Sequence, residues 1–191
     1  VDTGAMYRAM ALYMLREQVD PGQPDKVSEK CEQADITIAY ENGQQVVYLN
    51  GENVNPYLRT EEVGNMASAI STFPRVRAKL VELQKSLAAK SDCIMDGRDI
   101  GTCVLPNAQV KVYLTASSLV RAKRRYDELT AKGEVCDLAK IQADIEERDY
   151  RDMHREHSPL CQAEDAVLVD SSDMSIDEVI DTILGLCEKR Q

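Results

Sequence analysis

"CIMDGRDIGTCVLPNAQVKVYL", residues 93–114, holds two short apolar runs with a polar, glycine-marked loop between them. The runs "CIMD" (93–96) and "VKVYL" (110–114) are too short for helices and carry residues that suit strands. Behind the first run, Asp96, Arg98 and Asp99 crowd together around Gly97. A third run of this kind, "AVLVD" (166–170), follows two long helical patterns. Short apolar strands alternating with helices predict an α/β fold, a parallel sheet covered by helices on both faces. Ligands of such sheets gather at the carboxyl ends of the strands. Asp2, Asp96 and Asp170 all stand at such ends, so the loop lies where a site is expected.

Outward from this stretch, the remaining elements follow from local signals. Val1-Asp2 reads as the last step of a strand and "TGAMYRAMALYMLREQ" (3–18) as an amphipathic helix started by Thr3 and Gly4. A short helix is expected from Asp25 to Gln33. "ITIAY" and "QQVVYLN" flank Glu41-Asn42-Gly43, a strong hairpin signal. Thr60 caps a helix that opens with Glu61 and Glu62. Pro74 suits the first turn of the next, whose Val76, Leu80, Leu83 and Leu87 share one face. Ser117 opens a helix ending near Gly133, and a longer one runs from Asp137 to His157, stopped by Pro159. Ser175 and Glu178 form a capping box for the last helix.

Composition narrows the function. The 191 residues suffice for one domain with a small insertion, at 43% hydrophobic and 29% charged. A net charge of −10 argues against nucleic acid or an anionic membrane as partner, while leaving room for a small anion held by local arginines. No apolar run approaches the ~20 residues of a membrane span, and Arg8 and Arg16 break any signal-peptide pattern at the start. The six cysteines form no C-x-x-C pair and read as reduced thiols of a cytoplasmic protein, with Cys93 and Cys187 as small core residues. His154 and His157 have no third ligand spaced to complete a metal site.

Several clusters could carry chemistry. Asp96, ending a parallel strand, suits a Mg²⁺ shell water; Arg98 could grip a phosphate; Asp99 could accept from an exocyclic amine. From the loop alone, a structural Arg–Asp network fits as well. In "EERDYRDMHREH", Arg148, Asp152 and Arg155 fall at i, i+4 and i+7 on one expected helical face, beside Arg151. A solvated, ion-paired face is the alternative, but repelling like charges tilt the reading toward an anion. "RAKRRYDEL", with Arg121, Lys123, Arg124 and Arg125, reads by itself as surface. Arg75 and Arg77 sit in a helix's first turn, against the macrodipole, and Thr3 with Arg8 begins a helix of the kind that accepts phosphate. Together these suggest a phosphorylated small molecule.

"DTGAMYRAM", "NMASAISTFPRVR", "IMDGRDIGTCVLPNAQVKVYLTAS" and "ERDYRDMHRE" strongly resemble bacterial cytidylate kinases, in matching order from Val1 to the C-terminal helix. The resemblance implies a nucleoside monophosphate kinase fold. Its parallel sheet would be accompanied by a small β-containing monophosphate-binding insertion at about 28–90 and a lid region at about 117–157. It implies transfer of the γ-phosphoryl of ATP to CMP or dCMP with Mg²⁺, by a cytoplasmic protein that is a monomer when complete. Carried over by motif, Arg8 and Arg98 hold the acceptor phosphate, and Thr3 lies near the acceptor. Ser68, Arg77 and Asp99 read cytosine, Arg148 and Asp152 contact the sugar, and Arg155 leans toward the transferring phosphoryl. Arg124 and Arg125 close over ATP. Cytosine's amine suits a carboxylate and its N3 and O2 suit Arg and Ser donors, so uracil would set an acceptor against Asp99.

The family also implies an opening strand and a G-x-x-x-x-G-K-[ST] loop that cradles ATP. No Gly-Lys pair occurs here, so the expectation is an N-terminally truncated kinase domain without its first, central strand and phosphate loop. It would carry most of the acceptor site. A non-catalytic CMP-binding relic and a kinase for another pyrimidine monophosphate are the alternatives.

Overall fold

The computed structural model describes residues 1–189, which pack as two compact units, residues 1–100 and 101 onward. Residues 28–90 fall in the first unit and residues 117–157 in the second.

The first unit opens with α1 (Thr3–Arg16), then α2 (Pro24–Gln33), a three-stranded antiparallel sheet, and two further helices, α3 (Glu61–Ile70) and α4 (Pro74–Ala88). The sheet is β1 (Ile36–Glu41), β2 (Gln44–Leu49) and the short β3 (Glu52–Asn53). The Asn-Gly signal sets the register: Glu41 pairs with Gln44, and Asn42 and Gly43 take φ of 52° and 77° between them. Two positive φ values in a two-residue loop match the right-handed twist of the strands, which is why Asn and Gly stand there. Thr60 caps α3 through Val63 N at 3.3 Å, and Pro74 begins α4. The hydrophobic core belongs to this unit. Met6, Met10 and Met14 of α1 are fully enclosed with Val27, Ile36, Val47, Leu49, Ile70, Val76 and Leu80, and α1 packs on α3. Lys79 of α4 caps the end of α2 by donating to the Cys31 and Glu32 carbonyls at 2.9 and 2.8 Å.

The second unit comprises β4 (Val112–Thr115), α5 (Ser118–Ala131), α6 (Leu138–His154), β5 (Val167–Asp170) and α7 (Ile176–Glu188). β4 and β5 pair in parallel, from Val112–Val167 to Thr115–Asp170. Buried apolar residues are few, and charge pins the turns: Lys111 Nζ reaches the Pro106 carbonyl and, at 2.8 Å, Asp165. The capping box of Ser175 and Glu178 forms as expected.

The α/β class and the parallel pairing stand, with differences. "CIMD" forms no strand: it makes a single parallel bridge, Asp96 with Asp2, and one further contact, the Val1 amino group donating to the Ile94 carbonyl. Cys93 is consequently exposed and not a core residue, and Cys187 is half-buried. The parallel sheet is two strands wide, too narrow for helices to seal: Leu114 and Leu168 are exposed, and α7 buries none of its residues. α6 ends at His154, three residues before the expected His157, because the chain reverses there and Leu160 N donates to the Asp152 carbonyl at 2.8 Å. Among the described residues, no helix is long and apolar enough to cross a membrane.

Leu80 is fully enclosed in this core, so Leu80→Ala lowers unfolding stability by about 2–5 kcal/mol. Loss of the cap in Ser175→Ala costs only about 1 kcal/mol. Urea unfolding followed by circular dichroism separates the two; equal losses would contradict the placement of Leu80.

Candidate active site

The first unit gathers one group of candidate residues at the end of the Asp2–Asp96 bridge. Asp96 uses both backbone groups there, donating to the Val1 carbonyl at 3.1 Å and accepting from Thr3 N at 3.2 Å and Thr3 Oγ1 at 2.6 Å. Thr3 is therefore not the helix cap. Asp2 is, accepting from Ala5 N at 3.0 Å, which leaves the Thr3 hydroxyl to tie α1 to the loop. The approach is tight: a Cβ on Gly97 would stand 2.5 Å from Thr3 Oγ1 and 2.9 Å from the Ile100 side chain. Only glycine fits there. The next residue, Arg98, carries an exposed side chain, and the chain then enters a π-helical turn at Ile100–Val104 that sequence patterns did not signal.

Asp99 turns inward. Its carboxylate is buried and accepts from the guanidinium of Arg77, itself buried on α4, and Arg77 also reaches the Ser71 carbonyl at 3.4 Å. Two of the proposed base-reading residues, 22 positions apart in sequence, are thus in direct contact. Ser68, the third, is half-buried on α3, the helix against which α1 packs. Its carbonyl accepts from Ser71 Oγ at 2.8 Å, so Ser68 and Arg77 anchor on the same short turn, Ser71–Phe73.

In the second unit, Arg148 Nε lies 3.9 Å from the carboxylate of Asp152, which is buried. Arg155 is not on their helical face. It caps α6 with extended backbone (φ −66°, ψ 143°) and donates from Nε to the Ser158 carbonyl at 2.7 Å. Arg124 is committed within its unit: its guanidinium donates to the Ser171 carbonyl at 2.6 Å, Ser171 Oγ at 3.3 Å and the Met174 carbonyl at 3.4 Å. Arg125 pairs on the surface with Glu128 at 2.8 Å. Lys132 and Arg125 together hold the Glu128 carboxyl down to about 2. Sequence reading missed Ser171, which is buried and joins α5 to the ends of β4 and β5 by donating to the Thr115 carbonyl. It also missed the fork between Arg121 and Asp149 across α5 and α6. Both join residues far apart in sequence and leave no local pattern.

The family model described as cytidylate kinase matches residues 1–189. The cytidylate kinase of Lactobacillus gasseri is 46% identical over 191 residues, covering all of this chain and 83% of that protein. That of Caldicellulosiruptor bescii is 46% identical over 189 residues (99% of this chain, 84% of that protein). The cytidylate kinase 1 of Haemophilus influenzae is 44% identical over 189 residues, 99% of this chain and 82% of that protein. The chain belongs to the cytidylate kinase family. It is accordingly an enzyme of the nucleotide-binding transferases.

In this cytidylate kinase the metal question narrows to Asp96. Among the described residues no group of three His, Cys, Asp or Glu side chains is placed to hold an ion directly. Burial, and next the neighbouring Asp2 carboxylate, push the Asp96 carboxyl above the usual range. Two carboxylates at the Asp2–Asp96 bridge, one disfavouring the charge of the other, are oxygen donors of the kind that would hold a hard cation through water.

The sign of the linkage follows. A carboxyl raised by folding favours the folded state while protonated, and that contribution is lost as pH rises from its unfolded value near 3.8 through its folded one. Carbon-detected NMR titration is expected to place Asp96 above an ordinary aspartate, and Asp2→Asn to bring it part of the way down. An unshifted Asp96 in the Asp2→Asn protein would remove the electrostatic coupling.

Proposed function

We propose that this chain belongs to an enzyme that transfers the γ-phosphoryl group of ATP to CMP or dCMP, giving ADP and CDP or dCDP. The observation that carries the reading is the buried Arg77–Asp99 pair. A buried ion pair is a poor device for stability, since desolvation offsets most of its attraction. As a base reader it is well made: Asp99 accepts from the C4 amine of cytosine, while Arg77 and the Ser68 hydroxyl donate to N3 and O2.

The remaining roles are assigned by the family's motifs. Arg8 and Arg98 hold the acceptor phosphate, with the Thr3 hydroxyl fixing the loop behind them. Arg148 and the buried Asp152 contact the sugar. Arg155 leans toward the transferring phosphoryl, and its anchorage at Ser158 sets the reach of its guanidinium. On the ATP side Arg125 is the arm that swings, because its exposed pair with Glu128 holds it weakly. Arg124 supports it from the Ser171–Met174 turn. Asp96 would be the residue to hold Mg²⁺, through a shell water, and the ion would supply positive charge to the phosphate oxygens. Phosphoryl transfer asks for positioning and positive charge and no side-chain nucleophile. Residues 28–90 serve as the monophosphate-binding segment and 117–157 as the lid. A net charge of −10 and six free cysteines accord with a cytoplasmic monomer that engages neither nucleic acid nor membrane.

Asp99→Asn keeps the shape of the pair and reverses one hydrogen-bonding edge. The variant is expected to lose on the order of a hundredfold in preference for CMP over UMP, read as affinity by calorimetry and as kcat/KM where turnover is measured. An unchanged preference would remove Asp99 from base recognition. Tight CMP binding without phosphoryl transfer would mark a binding protein of the same family.

A further inference from the structure

Gln45 stands on β2, opposite Tyr40 and just past the Asn42-Gly43 turn. By pattern it is a polar residue near a hairpin tip and draws no notice. Its side chain, however, closes both backbone groups of Asp2. The Asp2 amide donates to Gln45 Oε1 at 2.9 Å, and Gln45 Nε2 donates to the Asp2 carbonyl at 3.2 Å. These are the outward-facing groups of that residue. In the parallel bridge it is Val1 and Thr3 that bond Asp96, leaving the Asp2 N–H and C=O directed away from it. The Gln45 amide thus takes the place of a further strand at this point. Its own backbone is fixed by the β1–β2 ladder and by Asn55 Nδ2, which donates to the Gln45 carbonyl at 2.8 Å.

Asp2 is a consequential residue to grip. Its side chain caps α1, the helix bearing Thr3 and Arg8, and its bridge partner Asp96 leads directly to Arg98 and Asp99. We propose that Gln45 is a positioning residue for the acceptor site. It latches the hairpin to the start of α1 and so holds Arg8 in register with the Asp96–Asp99 loop. This role rests on the acceptor-site reading given above. Gln45 reaches the site only through Asp2 and touches no reacting group.

Gln45→Met preserves length and removes both hydrogen bonds. In the intact chain, hydrogen exchange by NMR is expected to speed the Asp2 and Ala5 amides roughly tenfold, while those of α3 and α4 keep the parent rates. Calorimetric CMP affinity is expected to fall roughly five- to tenfold. Gln44→Met, one residue away and exposed, leaves both readouts at parent values. Unchanged Asp2 and Ala5 exchange in Gln45→Met would overturn the latch. Faster exchange with unchanged CMP affinity would overturn the positioning role. A parent chain that binds no CMP would remove the acceptor-site reading and the positioning role with it, and amide exchange would then decide the latch by itself.

Discussion

The first unit depends on the loop Asp96–Asp99 being fastened at both ends. At one end Asp96 spends its amide and carbonyl on Val1 and Thr3, so α1 and the loop share a boundary. At the other, Asp99 is buried against Arg77 of α4. Neutral hydrogen bonds of the first kind contribute only about 1 kcal/mol each. Breaking the buried pair by removing one partner costs about 3–5 kcal/mol, since the other charge is left in the interior. The loop is therefore held weakly where it leaves the bridge and strongly at Asp99. Between the anchors Gly97 lies too close to Thr3 for any side chain, which turns Arg98 outward.

The second unit is held differently. Its enclosed residues include Lys111, Asp152 and Ser171 beside a handful of small apolar ones. Each polar member pins a turn: Lys111 the approach to β4, Asp152 the reversal after α6, Ser171 and Arg124 the turn after β5. Ile176, Ile180 and Leu184 meanwhile form an exposed stripe along α7 at helical spacing. Apolar burial, at about 25 cal/mol per Å², contributes much less here than in the methionine-rich core of α1.

What was legible in the sequence is what local chemistry decides. The Asn42-Gly43 turn, the Thr60, Ser117 and Ser175 caps and the Pro74 start are all where their residues require them. What was not legible depends on partners distant in sequence. "CIMD" has the composition of a strand, but a strand exists only as far as something pairs with it, and here that is one bridge and one contact to Val1. Thr3 looked like a cap because its hydroxyl is a cap's chemistry; Asp2 stands one position earlier and takes the role. Pro159 was a correct stop signal read too late, since the reversal reaches back to Asp152. The Arg77–Asp99 contact spans two elements and has no periodicity to betray it. Each member stood out by itself, Asp99 in its loop and Arg77 in the first turn of its helix, but no pattern joined the two.

The end of α6 also changes the physical case for anion binding. Three arginines stacked on one helical face would repel one another, and that repulsion was the reason to expect a ligand. With Arg155 off the helix, Arg148 lies 3.9 Å from the buried carboxylate of Asp152 and Arg151 3.8 Å from Glu147, so each remaining arginine has a carboxylate beside it. The physical support for a phosphorylated ligand lies in the first unit. There the groups that would read the base are buried and already paired, whereas Arg98 is exposed. Buried partners lose little freedom when a ligand arrives, and an exposed arginine must be ordered by it. On the proposed reading, selection among bases is built into the fold, while the grip on phosphate is completed when the nucleotide binds.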